Sequence, residues 1–245
     1  MTESTIVERN IKPFPKYLWF LILSYSMIYS MCNWFDARLV MIFGLSISPG
    51  VILFPITFLV SDVITEVYGF KHARIAIWSA LFFNVIFVIF GQVILHMPSP
   101  SFANENDAFN KVLQLDTWVI LGSFASYIAS EPINSILISK LKIYFRGKYM
   151  GIRFVISTII ASFLDSYIFA IISFSNFYSL PHVLNVGFNI WIVKIVVEII
   201  GLPISIRVAK IIKRKENIDI YDISTSYNLF SLDNTYPIEN NKINN

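Results

Sequence analysis

Acidic side chains interrupt several apolar stretches of the chain. Asp62 and Glu66 lie four residues apart in "FPITFLVSDVITEVYGFKHAR". Glu131 lies within "SYIASEPINSILISK", and Asp165 lies in the middle of "STIIASFLDSYIFAIISF". A carboxylate can accept short, strong hydrogen bonds from neighbouring N–H groups. In apolar surroundings each charge costs roughly 2.5–3.5 kcal/mol or more, so such residues usually face a helix bundle interior and mark a substrate or ion path.

The spacing of these acids suggests which side chains share a helix face. Residues three or four apart lie on one face, so Asp62 aligns with Glu66 and Glu131 aligns with Asn134. Glu66 is close in sequence to Lys71 and Arg74, and an interfacial ion pair with either is one interpretation. Asp62 lies one turn deeper and is the better candidate for contacting a ligand.

Two further positions leave alternatives open. Asp165 has no basic neighbour in its own segment, so it must find a partner on another helix, be protonated or contact a polar cavity. Lys194 and Glu198 are four residues apart and form either a structural ion pair or a pair that rearranges between states. Pro132, directly after Glu131, removes a backbone donor and predicts a kink in its helix.

The composition is that of an integral membrane protein. Of the 245 residues 56% are hydrophobic and only 14% are charged, whereas soluble domains are about 45–50% apolar and about 25% charged. The net charge of +3 is too small to indicate a nucleic-acid partner. The single cysteine, Cys32, excludes an internal disulfide framework.

Six segments are long and apolar enough to cross a bilayer, which takes about 20 residues in a helix. They are Tyr17–Phe35, Val51–Tyr68, Ile75–Met97, Thr117–Ile138, Phe154–Phe174 and Phe188–Ala209. The stretch "LVMIFGLSISPG" between the first two is too short to span and predicts a re-entrant or interfacial segment. We therefore expect an all-α membrane domain over residues 17–215. It follows a cytoplasmic segment, 1–16, and precedes a polar, disordered cytoplasmic tail, 216–245.

The lysines and arginines predict the orientation. If both termini are cytoplasmic, the outer loops hold only Arg38 and Lys111, and the inner segments hold the many others. Cytoplasmic loops carry such an excess in membrane proteins. The first apolar segment has no small-residue cleavage site after it, which favours a retained helix. The sequence predicts a multi-pass protein of a bacterial inner membrane with the N and C termini inside.

Motifs for other chemistry are missing from the sequence. There is no glycine-rich phosphate loop, no His-Glu-x-x-His zinc helix and no Gly-x-Ser-x-Gly nucleophile turn. The histidines are isolated at the edges of the apolar segments. We expect no enzyme activity, no metal and no cofactor.

The stretch from Phe54 to Arg74 closely resembles the queuosine precursor transporter family of bacterial inner membranes. That family shows Phe-Pro, then an acidic pair in a [ST]-Asp…Glu-x-Tyr-Gly context, and then a basic Ala-Arg turn. The matching residues are Phe54, Pro55, Thr57, Phe58, Ser61, Asp62, Glu66, Tyr68, Gly69, Ala73 and Arg74. The resemblance extends over about residues 17–213. The family usually has an amide and then an acid in its fourth helix, whereas here Glu131 precedes Asn134.

The resemblance implies import of a 7-deazaguanine base (queuine, preQ0 or preQ1) for tRNA modification. A guanine-like edge presents an N–H beside an NH₂, and a carboxylate can accept from both. The expected ligands are Asp62, Glu131, Asn134 and Asp165, and the expected gating or ion-pairing residues are Glu66, Arg74, Lys194 and Glu198. Trp78, Tyr127 and Phe169 are aromatic residues that could stack on the base.

Two other functions are compatible with parts of the sequence. The six-helix layout is similar to the substrate-binding subunits of energy-coupling-factor transporters, which need an ATPase partner. Their Ala-x-x-x-Ala docking motif is missing, since the first apolar segment contains no alanine. An intramembrane hydrolase using paired acids is more remote, because its Gly-x-Gly-Asp pattern is absent. Besides the small-molecule substrate and the lipid bilayer, a homodimer is left open.

Overall fold

The computed structural model of the chain describes residues 15–35, 40–42, 45–47, 49–100, 102–103, 105–114 and 117–243. Within these ranges the fold is helical, as the sequence predicts. Its elements are α1 (Leu18–Phe35), β1 (Val40–Ile42), β2 (Leu45–Ile47), α2 (Pro49–Tyr68), α3 (Phe70–Leu95), α4 (Asn106–Leu113), α5 (Thr117–Tyr144), α6 (Met150–Phe174), α7 (Leu180–Glu216) and a final 3₁₀ turn, Ile238–Asn240. Most of the predicted 1–16 segment and Arg38 lie outside the described residues.

Six long helices coincide with the six apolar segments, with some boundaries extended. Helix α5 continues through Pro132 to Tyr144, and α7 begins at Leu180 and continues to Glu216. The residues added at the C-terminal ends of both helices are largely polar or basic. The short helix α4 is amphipathic and lies in the connection between α3 and α5. The stretch expected to be re-entrant or interfacial forms an antiparallel hairpin, β1 with β2.

The long helices form one bundle. Helix α6 packs between α5 and α7, α2 packs against α7 and α1, and α3 packs against α1. Apolar side chains from α1, α2 and α3 make a core that includes Tyr25, Ile64 and Ile77, together with Tyr127 of α5. The bundle therefore surrounds α2, whose acidic residues lie inside it.

Polarity is inverted relative to a water-soluble bundle. Many large hydrophobic side chains are exposed, among them Phe82, Phe90, Ile200 and Ile204, while Asp62, Glu66, Glu131, Asn134, Arg153 and Asp165 are at most 2% exposed. Two helices of the described part, α3 and α6, are long and apolar enough to cross a membrane by length and composition. Charged groups facing inward with apolar groups outward is the arrangement that lipid surroundings require.

The chain after α7 follows a defined path against one end of the bundle, which differs from the predicted disorder. The Asp222 carboxylate accepts hydrogen bonds from the Phe70 backbone N–H at 3.0 and 3.2 Å and from the Ser139 hydroxyl at 2.6 Å. Ile220 N–H donates to the Val67 carbonyl at 3.1 Å. We call residues 217–243 the C-terminal cap. Its Asn-rich, polar composition without a periodic apolar face suggests disorder, but several of its groups form hydrogen bonds with the end of the bundle.

Gly69 makes the turn between α2 and α3 that receives this cap. Its φ of +81° lies in the region that L side chains rarely adopt. A Cβ at this position would also lie 2.5 Å from the Tyr236 hydroxyl and 2.8 Å from Ile220 Cγ2. Glycine is therefore required here both by the backbone and by the close approach of the cap.

Candidate functional site

A cavity enters the bundle at the end opposite the C-terminal cap. Its lining comes from α1, α2, α5, α6 and α7, namely Tyr29, Cys32, Gly50, Phe54, Ser123, Ser126, Asp165, Phe169, Ile190 and Lys194. These residues lie near the C-terminal ends of α1 and α6 and the N-terminal ends of α2, α5 and α7. The lining combines aromatic faces, small hydroxyls and one pair of opposite charges, a combination common in small-molecule sites.

The charged pair of the cavity is Asp165 with Lys194. The Lys194 ammonium donates to Asp165 Oδ2, and Ser130 Oγ donates to Asp165 Oδ1 at 3.3 Å. Lys194 Nζ also lies 4.3 Å from the centre of the Phe54 ring, which allows a cation–π contact. Of the alternatives open for Asp165, the structure shows both a partner on another helix and a place beside a cavity.

This pairing replaces the one expected between Lys194 and Glu198. Both residues do lie on the same face of α7, but α6 packs directly against α7 and brings Asp165 to the lysine. Glu198 lies one turn further along, and its two oxygens have no hydrogen-bond donor among the described residues. Its carboxyl group instead contacts that of Asp62 on α2.

Asp62, Glu131 and Asn134 lie in the bundle interior and do not line the cavity. Asn134 Nδ2 donates to Asp62 Oδ1 at 2.7 Å, so α5 holds the α2 carboxylate in place. The Thr57 hydroxyl lies 3.5 Å from Glu131 Oε1. Asp62 Oδ2, Glu131 Oε2 and Asn134 Oδ1 are buried with no partner in the described part of the chain. Buried polar groups usually have hydrogen-bond partners, so these free acceptor oxygens indicate a functional role.

Three tyrosines lie beside this interior layer, and only Tyr127 was among the residues predicted to contact a substrate. The Tyr127 hydroxyl lies 2.8 Å from the Tyr25 hydroxyl, which in turn contacts Glu131. The Tyr29 and Tyr127 rings are stacked with their centres 4.2 Å apart. Tyr25 and Tyr29 are four residues apart in α1, and this spacing, which places them on one helix face, could have indicated a shared role.

At the capped end of the bundle, the Glu66 carboxylate is surrounded by three cationic side chains. Arg153 of α6 donates to both Glu66 carboxylate oxygens, and Lys213 of α7 donates to Oε1 at 2.5 Å. Lys142 of α5 lies 4.0 Å from the same oxygen and also binds Asp219 of the cap at 2.6 Å. One carboxylate therefore joins α2, α5, α6 and α7 where the interior meets the cap.

The expected pairing of Glu66 with Lys71 or Arg74 is not formed. Arg74 Nη1 and Nη2 donate to the backbone carbonyls of Asn228 and Asp233 at 2.7 and 2.5 Å. Lys71 Nζ binds the Asp233 carboxylate at 2.5 Å. The two residues begin a new helix after the Gly69 turn, which directs them toward the cap and away from Glu66. Hydrogen bonds from Lys71 and Thr235 lower the pKa of Asp233, which is exposed.

The polar groups thus form successive levels along the bundle. The Asp165–Lys194 pair faces the cavity, the layer of Asp62, Glu131 and Glu198 follows, and the Glu66 cluster closes the far end under the cap. The bundle thus has a small cavity of about 60 Å³ towards one end and a buried ionic cluster at the other.

A helical bundle with an apolar exterior and charged groups buried inside belongs to the class of helical membrane proteins. Residues 48–208 match the family described as "Putative vitamin uptake transporter", and the chain belongs to this family. It is also 26% identical over 182 residues to the "Probable queuosine precursor transporter" of Bacillus subtilis (strain 168), covering 73% of this chain and 79% of that protein. No solved structure matches the chain. The resemblance stated from the Phe54–Arg74 stretch is confirmed.

Proposed function

We propose that the chain imports a queuosine precursor, a 7-deazaguanine base, across a bacterial inner membrane. The observation that carries the proposal is the buried Asp165–Lys194 pair, which lines a cavity inside the bundle. The name of the Bacillus subtilis relative supports the substrate class. The match to a transporter family supports transport over catalysis.

The chemistry of the cavity suits such a base. A carboxylate such as Asp165 can accept from the N–H and the NH₂ of a guanine-like edge, and an ammonium such as Lys194 can donate to the neighbouring carbonyl oxygen. Tyr29, Phe54 and Phe169 supply ring faces in the same lining. In this role Asp165 exchanges its contact with Lys194 for contacts with the substrate.

The deeper acids serve the passage of the base. Asp62, Glu131 and Asn134 have buried oxygens without donors, so they can accept from the donor-rich edge as the base moves inward. Glu66 closes the path behind them, Lys194 and Glu198 change partners between states, and Arg74 holds the cap.

For orientation we propose six spanning helices with both termini in the cytoplasm. This arrangement puts the Glu66 cluster, the cap and most lysines and arginines inside, as the positive-inside rule expects. The cavity then opens to the outside, which suits uptake. A cysteine-accessibility scan with a single cysteine placed at the exposed positions Phe102 and Leu232 tests the orientation, because only the former should react from outside.

Uptake of labelled base by cells that lack precursor synthesis tests the function. Cells with the wild-type chain should accumulate base and restore queuosine in tRNA. Asp165→Asn should lower uptake by about 10- to 100-fold, since a hydrogen bond to a charged group contributes about 1.5–3 kcal/mol. Asp107→Asn, on the exposed face of α4, is the matched control. Normal uptake by Asp165→Asn would contradict the assigned site, and absence of uptake by the wild type would contradict the proposed function. Uptake that depends on an ATPase subunit would indicate a substrate-binding subunit instead.

A further inference from the structure

The contact between Asp62 and Glu198 joins two carboxyl groups from different helices. Asp62 is fully buried and Glu198 is 1% exposed. Helices α2 and α7 approach closely here, since a Cβ on Gly201, one turn after Glu198, would overlap the Leu59 side chain. The two carboxyl groups therefore belong to a closely packed pair of helices.

Neither carboxyl group has enough donors for two negative charges. Asn134 donates to Asp62 Oδ1, while Asp62 Oδ2 and both Glu198 oxygens have no donor among the described residues. An ionised carboxylate only accepts hydrogen bonds, so two of them in contact repel each other. A single proton on either group turns the contact into a strong hydrogen bond and removes one buried charge.

The neighbouring charged groups do not supply the missing compensation. On α5, Glu131 adds a further acid near Asp62. Lys194, on α7, is paired with Asp165 of α6. Glu66, one turn along α2, is engaged by Arg153 and Lys213. On α1, Tyr25 contacts Glu131 and Tyr29 lines the cavity, and neither phenol supplies a positive charge.

We propose that Asp62 and Glu198 share one exchangeable proton and that this pair is the site at which proton movement is coupled to transport. The inference rests on the proposed function. A proton needs only two acceptor oxygens, whereas hard metal cations take six or more oxygen ligands. The described residues contain no cluster of three or more His, Cys, Asp or Glu side chains that could hold a metal ion. The pair would take up the proton from the cavity side and release it to the cytoplasm, and each transfer would be linked to movement of the base.

Purified full-length protein in liposomes tests the proposal with preQ0 as the probe. The side chain of preQ0 is a neutral nitrile, so no substrate ammonium can replace the proton. Two quantities are measured: exchange of labelled preQ0 at equal concentrations, and its accumulation under an imposed gradient with acidic outside buffer. The wild type should exchange the probe, should accumulate it only with the gradient, and should show exchange that varies with pH.

Glu198→Gln is the informative variant, because glutamine keeps the shape and permanently donates to Asp62, as the protonated acid does. We expect it to lose gradient-driven accumulation and the pH dependence of exchange, with exchange itself still detectable. Glu105→Gln removes an exposed carboxyl at the start of α4 and should behave as the wild type. Infrared spectra give a readout independent of transport: a protonated-carboxyl band in the wild type should be missing from Glu198→Gln.

The outcomes separate the two proposals. Exchange by the wild type without gradient-driven accumulation, or accumulation that persists in Glu198→Gln, overturns the proton site while import stands. If Glu198→Gln weakens exchange of the amine-bearing preQ1 alone, the pair binds a substrate ammonium and the proton inference is overturned. Absence of any exchange by the wild type overturns both the proposed function and the coupling that rests on it.

Discussion

Lys194 of α7 and Asp165 of α6 form a buried ion pair at the wall of the cavity, with side chains only 6% and 3% exposed. Removing one partner of such a pair leaves an uncompensated charge and typically costs about 3–5 kcal/mol. We therefore expect Asp165→Asn and Lys194→Gln each to lower the unfolding temperature in detergent. The double variant should lose less than the sum, with a coupling energy of about 0.5–3 kcal/mol. Additive losses would contradict a direct pair.

Glu66 should be the most costly single acid to neutralise for stability. Glu66→Gln leaves Arg153 fully buried without its carboxylate and removes one of the two carboxylate partners of Lys213. A loss of about 3–5 kcal/mol in the free energy of unfolding is expected, measured by denaturant titration in detergent. Asp233→Asn, which breaks the surface pair with Lys71, is the control and should change stability little because exposed pairs contribute little. Equal effects of the two variants would contradict the importance of the Glu66 cluster.

Gly69→Ala should release the C-terminal cap. The added Cβ meets the Tyr236 hydroxyl and Ile220, and alanine disfavours the φ of +81°. Limited proteolysis should then cut the chain after Glu216 faster than in the wild type. Gly91→Ala is the matched control, because Gly91 is inside α3 and its Cβ would lie 3.7 Å from Leu113 Cδ2, an ordinary contact. Unchanged proteolysis of Gly69→Ala would show that the turn does not depend on glycine.

Attachment of the cap should weaken at alkaline pH. Burial and the nearby Asp222 carboxylate raise the pKa of Tyr236 well above its usual value, because the neutral phenol donates to Asp222 at 2.5 Å. A raised pKa in the attached state means that the stabilisation is complete below the free value, about 10, and is lost as pH rises beyond it. Proteolysis of the cap should accelerate above about pH 10. Tyr236→Phe should flatten this dependence, and a similar rise in that variant would assign it to another group.

The helices could be predicted from sequence because their signal is local. Long apolar runs between polar breaks identify six of them, and the Pro-Gly pair at the start of α2 separates the hairpin from that helix. The ends of the helices are harder to predict from the sequence. Helix α7, for example, extends to Glu216, and its basic last turns reach the Glu66 cluster. The sequence predicts disorder for the cap because the segment is polar and Asn-rich with no periodic apolar face, whereas in the structure backbone and carboxylate contacts attach it to α3 and α5.

The sequence by itself determined which residues carry charge into the interior, since acids in apolar runs are visible without any fold. Asp62, Glu66, Glu131 and Asp165 were recognisable in this way, as was the family. The tertiary structure determined which charged residues form ion pairs. Closeness in sequence favours pairing of Lys194 with Glu198 and of Glu66 with Lys71 or Arg74, but in the buried interior each charge is paired with an opposite charge on another helix. The packing of α6 on α7 supplies Asp165 to Lys194, and the bundle end supplies Arg153 and Lys213 to Glu66.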